Sequence, residues 1–425
     1  MTEKKFDLKR ILLDNAVLIL FIALSVLGIV LSGMRLTALS YELMGRIARN
    51  AFIILALIIP IVAGMGINFA ITIGAMAAQI AILLTMNWKI SGIAGFLLSC
   101  GMTIPLAALF GLLVGNLLNK MKGQEMIGSM ILGYFANGLY QLLFLYIFGS
   151  LIPISNPDLL IVGSSGIRNT LDLSVSYGFK GALDKLWELK FVQAVYWFSG
   201  IVAVIWLVLF LMKKRSLKSA IKVWVGCGIA VLLMQVEVIS KQFAMTKVPM
   251  ATLGVVALMC VFNVVIMRTR LGQRFRAVGQ NRAVANASGI NVNRTRITAI
   301  VLSTVLAGLG QVIFLQNFGA MQTYNAHEQV GLYAGAAILV GGASIVRATN
   351  AQAILGCILF HTLFIVAPQA GKTLFGDAAI GEYFRVFISY GVIALSLVLH
   401  GLRTMQAKNP ANDIKDTEQR QKAAN

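Results

Sequence analysis

Acidic side chains are scarce in this chain: sixteen Asp and Glu in 425 residues, beside 36 Lys and Arg and three His. Charged residues total 12%, against about 25% in soluble domains, which is too little to solvate a globular surface. The carboxylates sit at or beyond the ends of the apolar runs, with Glu237, Glu328 and Glu382 coming nearest. A proton-driven carrier places Asp, Glu or His along its path, so a proton gradient is not the expected energy source. Sodium coupling is weakened less, because unwound backbone carbonyls also bind Na⁺. His327, His361 and His400 lie far apart without ligand spacing and read as core or interfacial imidazoles. The four cysteines, Cys100, Cys227, Cys260 and Cys357, fall inside apolar runs and read as small buried hydrophobes without a disulfide. No Ser–His–Asp or paired-carboxylate pattern stands out, so no catalytic residue, metal or organic cofactor is expected. AGKTLFG, around Gly371, has the ending of a phosphate-binding loop, but Val366 stands where the pattern needs glycine. The chain brings no ATPase of its own.

Apolar sequence is what it has in excess: 58% hydrophobic residues and a mean hydropathy of +0.82. Runs suited to crossing roughly 30 Å of hydrocarbon occur near 16–33, 50–68, 70–86, 90–118, 127–150, 191–212, 223–238, 249–267, 298–317, 329–345, 351–367 and 383–402. The pattern predicts an all-α polytopic membrane protein with about ten to twelve transmembrane helices. The Gly-rich stretches 50–86 and 329–367 suit broken or re-entrant helices, and Pro60 and Pro105 suit kinks that a membrane bundle tolerates. The net charge of +20 lies in the connections between runs, which points to topology and anionic headgroups instead of nucleic acid.

Starting with the N-terminus inside, the basic connections 119–125, 213–222 and 268–296 and the C-terminal tail all become cytoplasmic; Arg35, Arg46 and Arg49 fall on the other side. The expected order is a cytoplasmic N-terminus (1–15), N-terminal spans (16–150), an external segment (151–190), central spans (191–267), a cytoplasmic loop (268–297), C-terminal spans (298–404) and a disordered polar tail (405–425). The first run lacks a cleavage site and reads as a retained span. Segment 151–190 mixes Pro, Gly, Asp and Lys; it suits either an exposed linker or a docking surface or cap over an entrance.

The loop RTRLGQRFRAVGQNRAVANASGINVNRTR (268–296) carries seven arginines and no carboxylate. A loop this long is usually functional or disordered. Its Thr269, Leu271, Gly272, Phe275, Arg276, Ala277, Val278, Gly279 and Asn281, then Ala285, Gly289, Ile290, Asn291 and Val292, resemble the signature loop of one permease family. That family comprises bacterial ABC importers of ribose and other simple sugars, nucleosides and branched-chain amino acids. STVLAGLGQ (303–311), GAAILVGGAS (335–344) and AQAILGC (351–357) extend the resemblance. GMGINFAITIGAMAAQ (64–79) continues it more loosely, with Asn68 near the place of the family's Asp or Asn. The resemblance covers roughly residues 50–400 and implies the ABC importer permease fold. It also implies a separate ATP-binding subunit docked on the loop, a solute-binding protein and a second permease copy or paralogue. The bacterial inner membrane, with both termini cytoplasmic, is the implied location. Arg276, Gly279, Asn281, Ala285, Gly289 and Ile290 are the expected ATPase-coupling residues, on a short helix over 281–287 that Gly289 ends. Positive-inside topology accounts for part of the loop's charge but not for Gly and Asn at fixed offsets.

The polar groups inside apolar runs are neutral: Asn68, Gln79, Asn137, Gln141, Gln311, Gln316 and Asn317. Each suits interhelical hydrogen bonding; as a set they suit the lining of a path for a hydroxyl- or amide-bearing solute. Asn68, Asn137, Gln141 and Gln311, with Phe135 as a stacking surface, are the expected pathway residues; Asn137 and Gln141 are four apart and share a helical face. Such a lining suits a sugar or nucleoside better than an amino acid. A self-sufficient secondary transporter or channel is the alternative reading.

Overall fold

The computed structural model describes residues 16–121, 123–163, 166–212, 217–243 and 246–407. The expected N-terminal segment 1–15 and residues 408–425 of the expected tail lie outside the described residues, as do residues 213–216 of one basic connection. Among the described residues, eight helices are long and apolar enough to cross a membrane, and four shorter apolar helices accompany them. The chain folds as an all-α polytopic bundle with, among the described residues, four three-residue strands. In hydrocarbon every backbone polar group must pair internally, which helices achieve within one segment.

The helices used below are α1 (Ala16–Ser32), α2 (Leu36–Ala56), α3 (Ile58–Val62), α4 (Ile71–Asn87), α5 (Gly92–Lys120) and α6 (Glu125–Leu142), the last widening to π geometry over Leu143–Ile147. They continue with α7 (Phe191–Leu211), α8 (Leu217–Gln235), α9 (Glu237–Phe243), α10 (Met250–Arg268), α11 (Arg270–Gln280) and α12 (Arg282–Ala287). The last four are α13 (Val292–Phe318), α14 (Val330–Val340), α15 (Asn350–Phe375) and α16 (Ala378–Ala407). Helix α13 is the central post. It packs on α5, α4 and α2, and small residues let the backbones meet: a Cβ on Gly74 would lie 2.2 Å from the Thr304 carbonyl oxygen.

Two Gly-containing breaks interrupt the apolar sequence, at 63–70 before α4 and at 341–349 after α14. Irregular backbone at membrane depth survives only when its polar groups are paired. Here Asn68 Oδ1 accepts the Ala70 N–H (3.1 Å) and Ser129 Oγ accepts the Phe69 N–H (3.0 Å).

Helix α2 begins at Leu36 instead of near residue 50, so Glu42, Arg46 and Arg49 lie on a candidate span and not in a loop. Glu382 likewise lies within a candidate span. The expectation of carboxylate-free spans fails at these two residues because each is paired along its own helix, Glu42 with Arg46 (3.9 Å) and Glu382 with Arg385. Arg49 lies 6.0 and 5.8 Å from the rings of Phe314 and Phe318, the arrangement of a long basic side chain laid on an apolar wall. The GKT at 371–373 falls within α15, not in a connection.

Segment 151–190 is no linker. Strand β1 (Thr170–Asp172) pairs antiparallel with β4 (Ala320–Gln322), and β2 (Glu188–Lys190) with β3 (Lys247–Pro249). Leu159, Ile167, Leu171, Leu173 and Phe179 are buried, so the segment closes over the end of the bundle reached by the C-terminus of α13. The loop 268–297 lies at the other end of α13, whose 27 residues span about 40 Å.

Candidate functional site

A cavity of about 160 Å³ opens between α4, α6, the segment leading into α14, and α16. Phe69, Thr72 and Met76 line one side; Met130, Tyr134 and Asn137 of α6 line another; His327, Glu328 and Gln329 close it. An apolar cavity of about 150 Å³ holds one benzene, so the space matches a single ring.

A chain of hydrogen-bonded polar groups runs from Gln79 and Tyr140 behind the lining to the Glu328 carboxylate in it. His327 Nε2 lies 2.8 Å from Asn137 Oδ1, and His327 Nδ1 lies 2.9 Å from the Gln79 side-chain amide. The same amide meets the Tyr140 hydroxyl at 2.6 Å, and that hydroxyl lies 2.9 Å from the Thr323 carbonyl oxygen. Asn137 Nδ2 donates to Glu328 Oε1 (3.1 Å). His327 is fully buried and lies outside the spanning helices; burial pulls its pKa down to about 4, so it is neutral and carries one N–H. With Gln79 Oε1 facing both neighbours, the imidazole and the phenol would each need two protons, while Gln79 Nε2 stays unpartnered. The proton count closes when the amide is turned. Gln79 Nε2 then donates to Tyr140 Oη and His327 Nδ1, Tyr140 donates to Thr323, and His327 Nε2–H donates to Asn137. The amide oxygen is then the unpaired atom, a milder fault than a buried unpaired donor. From Gln79 through His327 and Asn137, the donors point toward the Glu328 carboxylate.

Of the expected pathway residues, Asn137 lines this cavity. Gln141 does not; it stands one helical turn farther on, about 6 Å along the axis. Phe135, 66% exposed, lines a separate apolar hollow with Ile73, Ile80 and Leu139. Asn68 is buried and braces the 63–70 break. Gln311 Nε2 donates to the Ala326 carbonyl oxygen (3.2 Å) and so holds the backbone that presents His327. His327, Glu328, Tyr134 and Thr72 escaped the sequence reading. The available signal was the adjacent pair His327–Glu328 beside an apolar run.

At the other end, the 268–297 loop is three capped helical pieces. Thr269 Oγ1 accepts the Gly272 N–H (3.4 Å), Asn281 Oδ1 accepts the N–H groups of Ala283 and Val284 (3.0 and 3.1 Å), and Asn291 Oδ1 accepts that of Arg294 (2.9 Å). The Thr and Asn offsets of the motif are thus successive N-caps. Helix α12 ends at Gly289, whose φ of +79° favours glycine, and Ile290 N–H donates to the Ala285 carbonyl oxygen (3.0 Å). The residues divide by direction. Asn281, Gly289 and Arg276 are exposed, Arg276 also donating to the Met267 carbonyl oxygen (3.0 Å). Ala285 is buried, and a Cβ on Gly279 would lie 2.1 Å from the Val62 carbonyl oxygen. These two face inward, packed against the chain itself. Val284, 60% exposed, is a large apolar side chain that the short helix presents outward.

A family model described as "Branched-chain amino acid transport system / permease component" matches residues 44–399, and the chain belongs to that family. It is similar to the nucleoside ABC transporter permease protein NupC of Lactococcus lactis subsp. cremoris, 32% identical over 139 residues, 32% of this chain and 43% of the relative. It is also similar to the autoinducer 2 import system permease protein LsrC of Klebsiella pneumoniae subsp. pneumoniae, 35% identical over 149 residues, 35% of this chain and 41% of the relative. A further similarity is to the ribose import permease protein RbsC of Escherichia coli (strain K12), 29% identical over 151 residues, 36% of this chain and 44% of the relative. The matches thus span less than half the length of each of these relatives. No solved structure matches.

Proposed function

We propose that this family member is the membrane-spanning permease subunit of an ATP-driven importer in a bacterial inner membrane. It passes a small uncharged polar solute, a simple sugar or a nucleoside, delivered by a separate solute-binding protein. A separate ATP-binding subunit docks on α11–α12 from the cytoplasm, where both termini also lie, and a second permease copy or a related chain completes the path. Relatives named for nucleoside, autoinducer 2 and ribose import support the solute class.

The observation that carries the reading is the Gln79–His327–Asn137–Glu328 relay behind a one-ring cavity. Asn137 Nδ2 keeps a second hydrogen for the cavity, Glu328 and Thr72 offer acceptors, and Phe69 and Tyr134 offer aromatic faces. That set can exchange hydrogen bonds with vicinal hydroxyls or with a base. Among the described residues, no Lys or Arg lines the cavity to receive an amino acid's carboxylate. Ligand sites usually enclose about 300–1,000 Å³; about 160 Å³ suits half a site that a second permease completes.

The test is uptake into proteoliposomes containing the permease, its ATPase and its solute-binding protein, with ribose, nucleosides and leucine as competitors. ATP-dependent uptake competed by sugars or nucleosides is expected. Competition by leucine alone would remove the solute assignment, and uptake without ATP would remove the importer assignment.

A further inference from the structure

Glu125 opens α6 and is buried, 7% exposed. One carboxylate oxygen accepts the Gly123 N–H (2.9 Å). The other is shared by two guanidinium groups, Arg282 Nη2 at 2.9 Å and Arg296 Nη2. Arg296, in the first turns of α13, is fully buried; Arg282 opens α12. Arg282 Nη2 also donates to the Gly64 carbonyl oxygen (3.0 Å). Beside this contact, Gly279 of α11 lies against the Val62–Gly64 backbone. One carboxylate and two arginines thus tie the docking loop to α13, to α6 and to the break that precedes α4.

Two of these elements, α6 and the break that leads into α4, contribute lining residues to the cavity. Asn137 stands twelve residues beyond Glu125 on α6, about 18 Å along the axis. Thr72, Met76 and Gln79 follow the break on α4. A buried charge cluster is weak grounds for stability, since desolvation offsets much of the attraction. Apolar packing by Phe275, Val278 and Ala285 already seats the loop. What the cluster adds is stiffness: separating Arg296 from Glu125 strands a buried charge, and Arg282 joins the loop to that pair, so the joined elements move together.

We propose that Glu125 is a positioning residue that carries motion of the docking loop to the solute cavity. This rests on the reading of α11–α12 as the ATPase-docking segment. The experiment measures solute uptake per ATP hydrolysed in the reconstituted three-component importer at matched amounts of assembled complex. Glu125→Gln is expected to lower that ratio about tenfold, within the usual range of coupling effects, while ATP hydrolysis persists. Glu125→Asp, which keeps the charge, should recover most of the loss. If Glu125→Gln does not assemble, Arg282→Gln leaves the buried Arg296–Glu125 pair in place and should lower the ratio in the same direction. A wild-type ratio in the assembled variant overturns the proposal. Val284→Asp separates the two ideas. If the ATPase still co-purifies with it, the docking reading fails. If the ATPase is released while the Glu125 and Arg282 variants keep a wild-type ratio, the positioning role alone fails.

Discussion

Gly279 and Gly289 stand ten residues apart in one loop, and replacing each tests a different physical constraint. At Gly279 the constraint is space. An alanine Cβ would sit 2.1 Å from the Val62 carbonyl oxygen and 3.1 Å from the Gly64 amide nitrogen. Both atoms are backbone and cannot rotate away, so α11 must withdraw from the 63–70 break by roughly an ångström. In an open helix Gly→Ala gains about 1 kcal/mol; overpacking a fitted contact costs about 1–3 kcal/mol. With backbone on both sides the upper part of that range applies, so Gly279→Ala should destabilise by about 1–2 kcal/mol net. At Gly289 nothing lies within 4 Å of a built Cβ, and the constraint is the φ of +79°. Alanine there should cost about 1–2 kcal/mol of left-handed strain, whereas asparagine tolerates that conformation. Asparagine therefore discriminates: it should be worse than alanine at position 279 and better at position 289. The assay is the thermal unfolding midpoint in detergent, followed by uptake per ATP hydrolysed. An unchanged midpoint for Gly279→Ala, or the reverse asparagine–alanine order at either site, would refute the reasoning.

Three other outcomes are expected. Asn137→Ala breaks the relay between His327 and Glu328 and should slow uptake about tenfold, the effect of an unpaired buried group worth roughly 1–3 kcal/mol, with little change in the half-saturating concentration of loaded solute-binding protein; a changed concentration at unchanged rate would contradict this. Val284→Asp puts a charge on the outward apolar tip of α12 and should release the ATPase in co-purification, while Arg274→Gln on the exposed side of α11 should only weaken it. Burial holds His327 at about 4 instead of 6.5, so the unfolded chain binds a proton that the native state refuses. Native stability should be complete above pH 6.5, fall by up to about 3 kcal/mol as pH drops to about 4, and level off below that. His327→Gln should flatten this window in unfolding midpoints, and parallel curves for the two proteins would show that His327 is not held neutral.

The helices were legible because apolar runs of spanning length have few other outcomes. Their ends were not. Glu42, Arg46 and Arg49 look like the residues of a connection, yet α2 runs through them, because an i,i+4 pair and the rings of Phe314 and Phe318 accommodate charges that hydropathy counts as breaks. The short helix at 281–287 was legible from Asn281 and Gly289, since capping chemistry is local. The inward turn of Gly279 was not, because it depends on a partner more than two hundred residues away in sequence, the 62–64 backbone.

The same distinction governs the cavity. A sequence shows that Gln79, Asn137 and Gln311 are amides in apolar surroundings; it does not show which of them share a neighbour. His327 is what brings Gln79 and Asn137 together, at 2.9 and 2.8 Å, and an isolated histidine carries no local mark of such a role. Gln311, sixteen positions before His327, acts one step removed by fixing the Ala326 carbonyl. Phe135, two positions before Asn137, faces a separate hollow because a helix turns about 100° per residue, while Gln141 shares the Asn137 face but stands one turn beyond a cavity one ring wide. Helical spacing alone therefore nominates candidates on α6, and the long-range contact to the 323–329 segment selects among them.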